Sequence, residues 1–94
     1  MKNLKFKTKI WCWRGRVAWY MISLPRESYE KIRTYFGKGM IPVEITINKN
    51  VSWETKLLPH TKTKTYLVMI KKQKRELAQI WEGDKVSVQI IFQK

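Results

Sequence analysis

Three observations in the sequence predict a mainly β protein with two helices, arranged as a six-stranded closed barrel built from two ββαβ pseudo-repeats with the helices capping it. Apolar and polar residues alternate over most of the chain, the period of a half-buried strand. Two stretches break that rhythm with apolar residues three and four apart, the period of a helix. A shift of 46 positions then lays Tyr20 on Tyr66, Ile22 on Val68, Leu24 on Ile70, Glu30 on Glu76 and Gly37 on Gly83. Each half therefore reads strand, strand, helix, strand, with three extra residues after Gly37 in the first. Closing two such halves on each other leaves no strand edge unpaired.

The elements follow in order. Leu4, Phe6, Thr8, Ile10 and Cys12 alternate with Lys5, Lys7, Lys9, Trp11 and Trp13, so Leu4 to Trp13 is expected as one strand with the first set inward. Arg14-Gly15-Arg16 is a short connection into a β-branched and aromatic strand from Val17 to Leu24, a hairpin. Pro25 favours a helix start, and Tyr29, Ile32 and Phe36 form its apolar stripe, with Gly37 as a C-cap of positive φ. Ile41 to Ile47 alternates again, and Asn48-Lys49-Asn50 turns the chain into Val51 to Leu57. A three-residue loop there sets Ile45 opposite Trp53, Ile47 opposite Val51 and Glu44 opposite Glu54. A polar connection from Pro59 to Lys64 leads to the strand Thr65 to Ile70. Lys71 to Gln79 is expected as a helix with Leu77 and Ala78 inward, and the turn Glu82-Gly83-Asp84 opens a strand with Val86, Val88, Ile90 and Phe92 on one face.

Ninety-four residues suit a single domain spanning 1–94, with one modest core. The longest apolar run, Val17 to Ile22, falls far short of the roughly 20 residues a membrane helix needs. Met1 to Lys7 alternates instead of forming the apolar block of a signal peptide. The expectation is a cytoplasmic protein without a membrane partner. A lone cysteine, Cys12, has no internal disulfide partner and reads as a small hydrophobe.

Catalytic chemistry finds little to work with. No phosphate loop, nucleophile elbow or spaced set of metal ligands occurs, so neither a metal nor another cofactor is expected. His60 stands alone, and Glu44 with Glu54 is either an acid/base pair or a structural pair neutralised by its basic surroundings. A non-enzymatic protein is the expectation.

Charge is the stronger signal. Twenty Lys and Arg against seven Asp and Glu leave a net +13, so most cations have no acidic partner. Two basic candidates follow. A three-residue first turn would set Trp11 opposite Trp19 and Trp13 opposite Val17, with Lys5, Lys7 and Lys9 along the same outer face and Arg14 and Arg16 at its end. That is an aromatic platform edged by cations, as nucleic-acid stacking requires, unless another element covers the tryptophans. Lys71, Lys72, Lys74 and Arg75 crowd the start of the second helix, where cations are unfavourable; either a bound phosphate or plain solvation accounts for them, and Lys62 and Lys64 could extend the patch. The expected partner is DNA or RNA, held through its phosphates by a monomer or homodimer. The alternative is a protein-interaction module whose Trp-rich face docks an acidic partner or a second copy.

Trp19-Tyr20-Met21-Ile22-Ser23-Leu24-Pro25, Pro42-Val43-Glu44-Ile45-Thr46-Ile47-Asn48, Trp53-Glu54-Thr55, Leu58-Pro59 and Gly83-Asp84-Lys85-Val86-Ser87-Val88 together resemble a widespread bacterial and archaeal domain of unknown function, sometimes fused to a YdeI-like, OmpD-associated domain. The resemblance covers nearly the whole chain. It implies a double-split β-barrel, the fold of AbrB-like regulators and MazE-type antitoxins, in which two chains build one barrel where this chain would hold both halves. It implies no activity. Asn48-Lys49-Asn50 departs from the Asn-Gly common in that family, as does the excess of Lys.

Overall fold

Ile10 divides the first alternating stretch. In a computed structural model, which describes residues 2–93, the stretch forms two strands, β1 (Asn3–Lys9) and β2 (Trp11–Trp13). They are followed by β3 (Trp19–Ser23), a 3-10 turn (Arg26–Ser28), α1 (Tyr29–Phe36), β4 (Ile41–Ile47), β5 (Val51–His60), β6 (Thr65–Met69), α2 (Lys72–Ala78) and β7 (Lys85–Phe92). Seven antiparallel strands run in the order β1-β7-β4-β5-β6-β3-β2 and curl as a half-barrel. The protein is thus mainly β with two helices, with seven strands where the alternation predicts six.

The extra break has a visible cause. The Ile10 N–H donates to the carbonyl of Asp84 at 3.0 Å, and its own carbonyl accepts from the Gly83 N–H at 2.7 Å. The turn before β7 is itself held by the Trp81 N–H on the Asp84 carboxylate at 2.8 Å, and Gly83 takes a φ of +91°, open to glycine at no steric cost. Backbone groups at Ile10 therefore bond to a turn and not to the β7 ladder, so β1 pairs with β7 while β2 pairs with β3. β5 makes a similar change of partner without breaking. It pairs with β4 up to Leu57 and with β6 from Leu58 to His60.

The core is one cluster drawn from nearly every element. Ile10, Ile22, Ile32, Ile41, Ile45, Val68 and Ile90 are among its buried members. α1 docks as its stripe predicts, with Tyr29 and Ile32 buried and Phe36 stacked on Phe92 at 4.7 Å between ring centres. The β4–β5 turn has three residues, with Ile45 opposite Trp53, Ile47 opposite Val51 and Glu44 opposite Glu54. β3 and β6 lie 46 positions apart end for end, and Gly37 and Gly83 both take positive φ, +84° and +91°.

Four expectations need correction. The first hairpin has a longer connection, residues 14–18, and pairs Trp13 with Trp19 and Trp11 with Met21. A slip of two residues leaves every side chain on its own face, so alternation could not separate the two registers. β5 continues through Pro59, opposite Tyr66, to His60, so the polar connection shrinks to residues 61–64. β3 begins only at Trp19, two residues later than predicted. In α2 the side chain of Leu77 is 61% exposed, and Ala78 with Arg75 packs instead. α2 stops early because Gln79 turns left-handed, the Gln79 N–H donating to Glu76 and the Ile80 N–H to Arg75 in a Schellman arrangement.

Candidate nucleic-acid interface

β2, β3, β6 and β5 form one end of the sheet order, and the first two of these strands carry Trp11, Trp13 and Trp19. Trp13 and Trp19 face each other across β2 and β3 and are each 46% exposed. With Met21, Leu58 and Met69 they line a groove of about 400 Å³. Trp11 is half-buried, its indole N–H donating to the Ser23 hydroxyl at 2.9 Å, and its ring lies 6.0 Å from that of Trp13. His60 meets Trp13 edge-on at 5.9 Å and is bound through its Nδ1 to the Thr63 hydroxyl. Trp11 and His60 thus both pack against the Trp13 ring, which stays 46% exposed.

The basic residues divide. Lys5 and Lys7 point outward from β1, but with Thr46, Lys49, Ser87 and Gln89 they line a separate groove of about 530 Å³ over β1, β7 and β4. The bend at Ile10 therefore separates these lysines from the tryptophans with which alternation grouped them. Lys9 stands opposite Lys85 at the end of the same ladder. Arg14 is exposed and ion-paired with Glu82, a surface pair worth about 0–1 kcal/mol. Arg16 lies exposed in the loop beside it.

Lys71, just before α2, and Lys74 within it line a groove next to the tryptophan face. This second groove, about 480 Å³, is lined by Trp53, Lys56, Leu58, Met69, Lys71 and Lys74, with Glu54 on its wall. Leu58 and Met69 line both grooves, so the tryptophan groove and the lysine-bearing groove lie side by side. Register explains the meeting. Met21 pairs with Met69, and the Ile70 N–H donates to the Tyr20 carbonyl at 2.8 Å, which brings Lys71 to the Trp19 end of β3. Lys72 is exposed on α2, while Arg75 lies over the Tyr20 ring at 3.7 Å, a cation–π contact that packs the helix on the sheet. α2 has only seven residues, so its dipole adds little and the lysine side chains carry the charge.

Sequence reasoning missed Lys56 and the part played by Met21, Leu58 and Met69. Lys56 lies within the alternating stretch Val51 to Leu57, where the sequence marks it only as a neighbour of Glu44 and Glu54; in the fold it stands opposite Pro42 on β4, two residues before Leu58, where β5 takes β6 as its partner.

Glu44 is half-buried and Glu54 exposed on the outer side of the sheet, and Glu54 shares its groove with Lys56, Lys71 and Lys74. Burial, with help from Tyr29, pushes the Tyr66 phenol above its ordinary value, so it stays neutral at physiological pH. Among the described residues no group of three or more His, Cys, Asp or Glu could hold a metal ion, and no helix is long and apolar enough to cross a membrane.

Residues 6–90 match the family described as Domain of unknown function (DUF1905). The chain belongs to that family. No curated protein matches it. The DUF1905 match takes in β2 to β6 and α2 entire, and with them every residue of the two grooves that share Leu58 and Met69.

Proposed function

We propose that this DUF1905 protein is a non-enzymatic nucleic-acid-binding module of the cytoplasm, contacting phosphates through Lys56, Lys71 and Lys74. The observation that carries the reading is the adjacency of the two grooves at Leu58 and Met69, which sets exposed aromatic rings beside lysines that make no ion pair among the described residues. Nucleic acid offers the matching pair of features, a phosphate run and bases with π faces. The net charge of +13 supplies a long-range attraction to any polyanion, and Lys5, Lys7 and Lys49 add to that field from their own groove.

The same reading includes the finer architecture. The two end strands of the sheet, β1 and β2, are consecutive in the chain with Ile10 between them. Counted as one bent strand, they join the ends of the seven-strand order into a six-stranded ring, the double-split barrel of AbrB-like and MazE-type domains. β5, which changes partner at Leu58, is the corresponding strand of the other half.

Fluorescence anisotropy with labelled duplex DNA, single-stranded DNA and RNA at about 50 mM salt tests the function. Binding is expected, and log K should fall linearly with log salt, by roughly 0.9 for each phosphate contact on duplex DNA and about 0.7 on single strands. Absence of binding to all three at that salt would end the proposal.

A further inference from the structure

The geometry points to an unpaired, single-stranded nucleic acid as the ligand of the tryptophan groove, with a base stacked on Trp13 and Trp19 and the adjoining phosphates on Lys56, Lys71 and Lys74. This rests on the nucleic-acid reading above and narrows its substrate class. Three features of the groove favour unpaired bases. Its floor of Met21, Leu58 and Met69 is apolar, whereas a duplex presents phosphates and groove edges and keeps its base faces stacked inside. Its walls are two indoles, each with about half its surface open, which suits the face of an unstacked base. The neighbouring groove, which shares Leu58 and Met69 with it, is lined by Lys56, Lys71 and Lys74, so a backbone passing from the stacked base into that groove would meet the lysines.

Preorganisation strengthens the argument. The Trp13 ring lies 6.0 Å from the Trp11 ring and meets the His60 ring edge-on at 5.9 Å. Trp11 is tied to Ser23, and His60 to Thr63. A ring already fixed gives up little entropy when a base settles on it. Charge complementarity selects the occupant. An apolar peptide would leave Lys56, Lys71 and Lys74 without partners, and a second copy of this chain would bring more positive charge against them.

One oligonucleotide sequence, offered as a single strand and annealed to its complement, tests the assignment at about 50 mM salt. Anisotropy and intrinsic tryptophan fluorescence are read together. The single strand is expected to bind more tightly than the duplex and to quench the tryptophan signal. Trp13→Ala and Trp19→Ala should each weaken single-strand binding about tenfold or more, since stacking on an aromatic ring is worth that much per base. Duplex binding should stay within about twofold of the unmodified protein. Trp13→Leu and Trp19→Leu keep apolar volume while removing the ring, and they should lose single-strand binding equally if either alanine variant fails to fold. Equal affinity for both forms, unchanged by the tryptophan substitutions, would overturn the single-strand assignment and leave general nucleic-acid binding standing. No binding to either form would remove the underlying reading as well. A concentration-dependent dimer in sedimentation that Trp19→Ala abolishes would make the groove a self-association surface and overturn the assignment too.

Discussion

Replacing Lys56, Lys71 and Lys74 together by glutamine is expected to weaken binding of a single-stranded oligonucleotide by on the order of 10³-fold at about 50 mM salt. Each lysine lost removes one released counterion, about 0.7 in the log-log slope on a single strand, which amounts to about tenfold in affinity at that salt. The slope itself should fall by about 2 for the three. All three side chains border the groove that adjoins Trp13 and Trp19, and Lys56 and Lys71 are exposed, so their replacement leaves the core intact. A charge-matched variant with Lys5, Lys7 and Lys49 changed to glutamine separates local contact from general field. Those three line the other groove, and their loss removes the same net charge. The account expects a markedly smaller loss there. Equal losses in both variants would mean that net charge alone governs binding.

Ile10→Ala is expected to reduce stability by about 3–4 kcal/mol, read from urea denaturation followed by circular dichroism. Ile10 is 1% exposed and lies at the point where β1 gives way to β2. Its backbone is fixed on both sides by Gly83 and Asp84, so the chain there cannot move in to fill the space left by a smaller side chain. A domain of this size holds only about 5–14 kcal/mol in total, so the melting temperature should fall by about 15–25 °C. Leu4→Ala, at a half-buried position on the adjoining strand β1, serves as the comparison and should cost far less. A loss below about 1 kcal/mol for Ile10→Ala would show that the bend is not a packed part of the core.

Much of the scaffold was legible because strand alternation and helix stripes are local signals. β4 and β7 begin and end where the pattern places them, and Tyr29, Ile32 and Phe36 pack as one face of α1. What was not legible depends on partners distant in sequence. The break at Ile10 is made by a turn more than seventy residues further on, at Gly83 and Asp84. The register of the first hairpin is ambiguous to alternation, because a two-residue slip preserves both faces. Leu77 and Arg75 show the same limit within a helix. An apolar and a basic residue two apart exchange the expected roles because Tyr20 gives the guanidinium a ring to cover.

The candidate site was half legible for the same reason. Trp13, Trp19, Lys71 and Lys74 stood out by residue type, but as two separate patches. The strand order β5-β6-β3-β2 joins them, through Met69 opposite Met21 and Leu58 opposite Leu67. Lys5 and Lys7 were grouped with the tryptophans by alternation and are parted from them by the bend.

The most direct test of the account is a ¹H–¹⁵N NMR titration of the protein with an unlabelled single-stranded oligonucleotide at about 50 mM salt. The indole N–H signals of Trp13 and Trp19 and the amides of Lys56, Leu58, Met69, Lys71 and Lys74 should shift together along one binding curve, while Lys5, Lys7, Lys49 and Gln89 move little. Shifts confined to the Lys5, Lys7 and Lys49 groove, or none at saturating oligonucleotide, would contradict it.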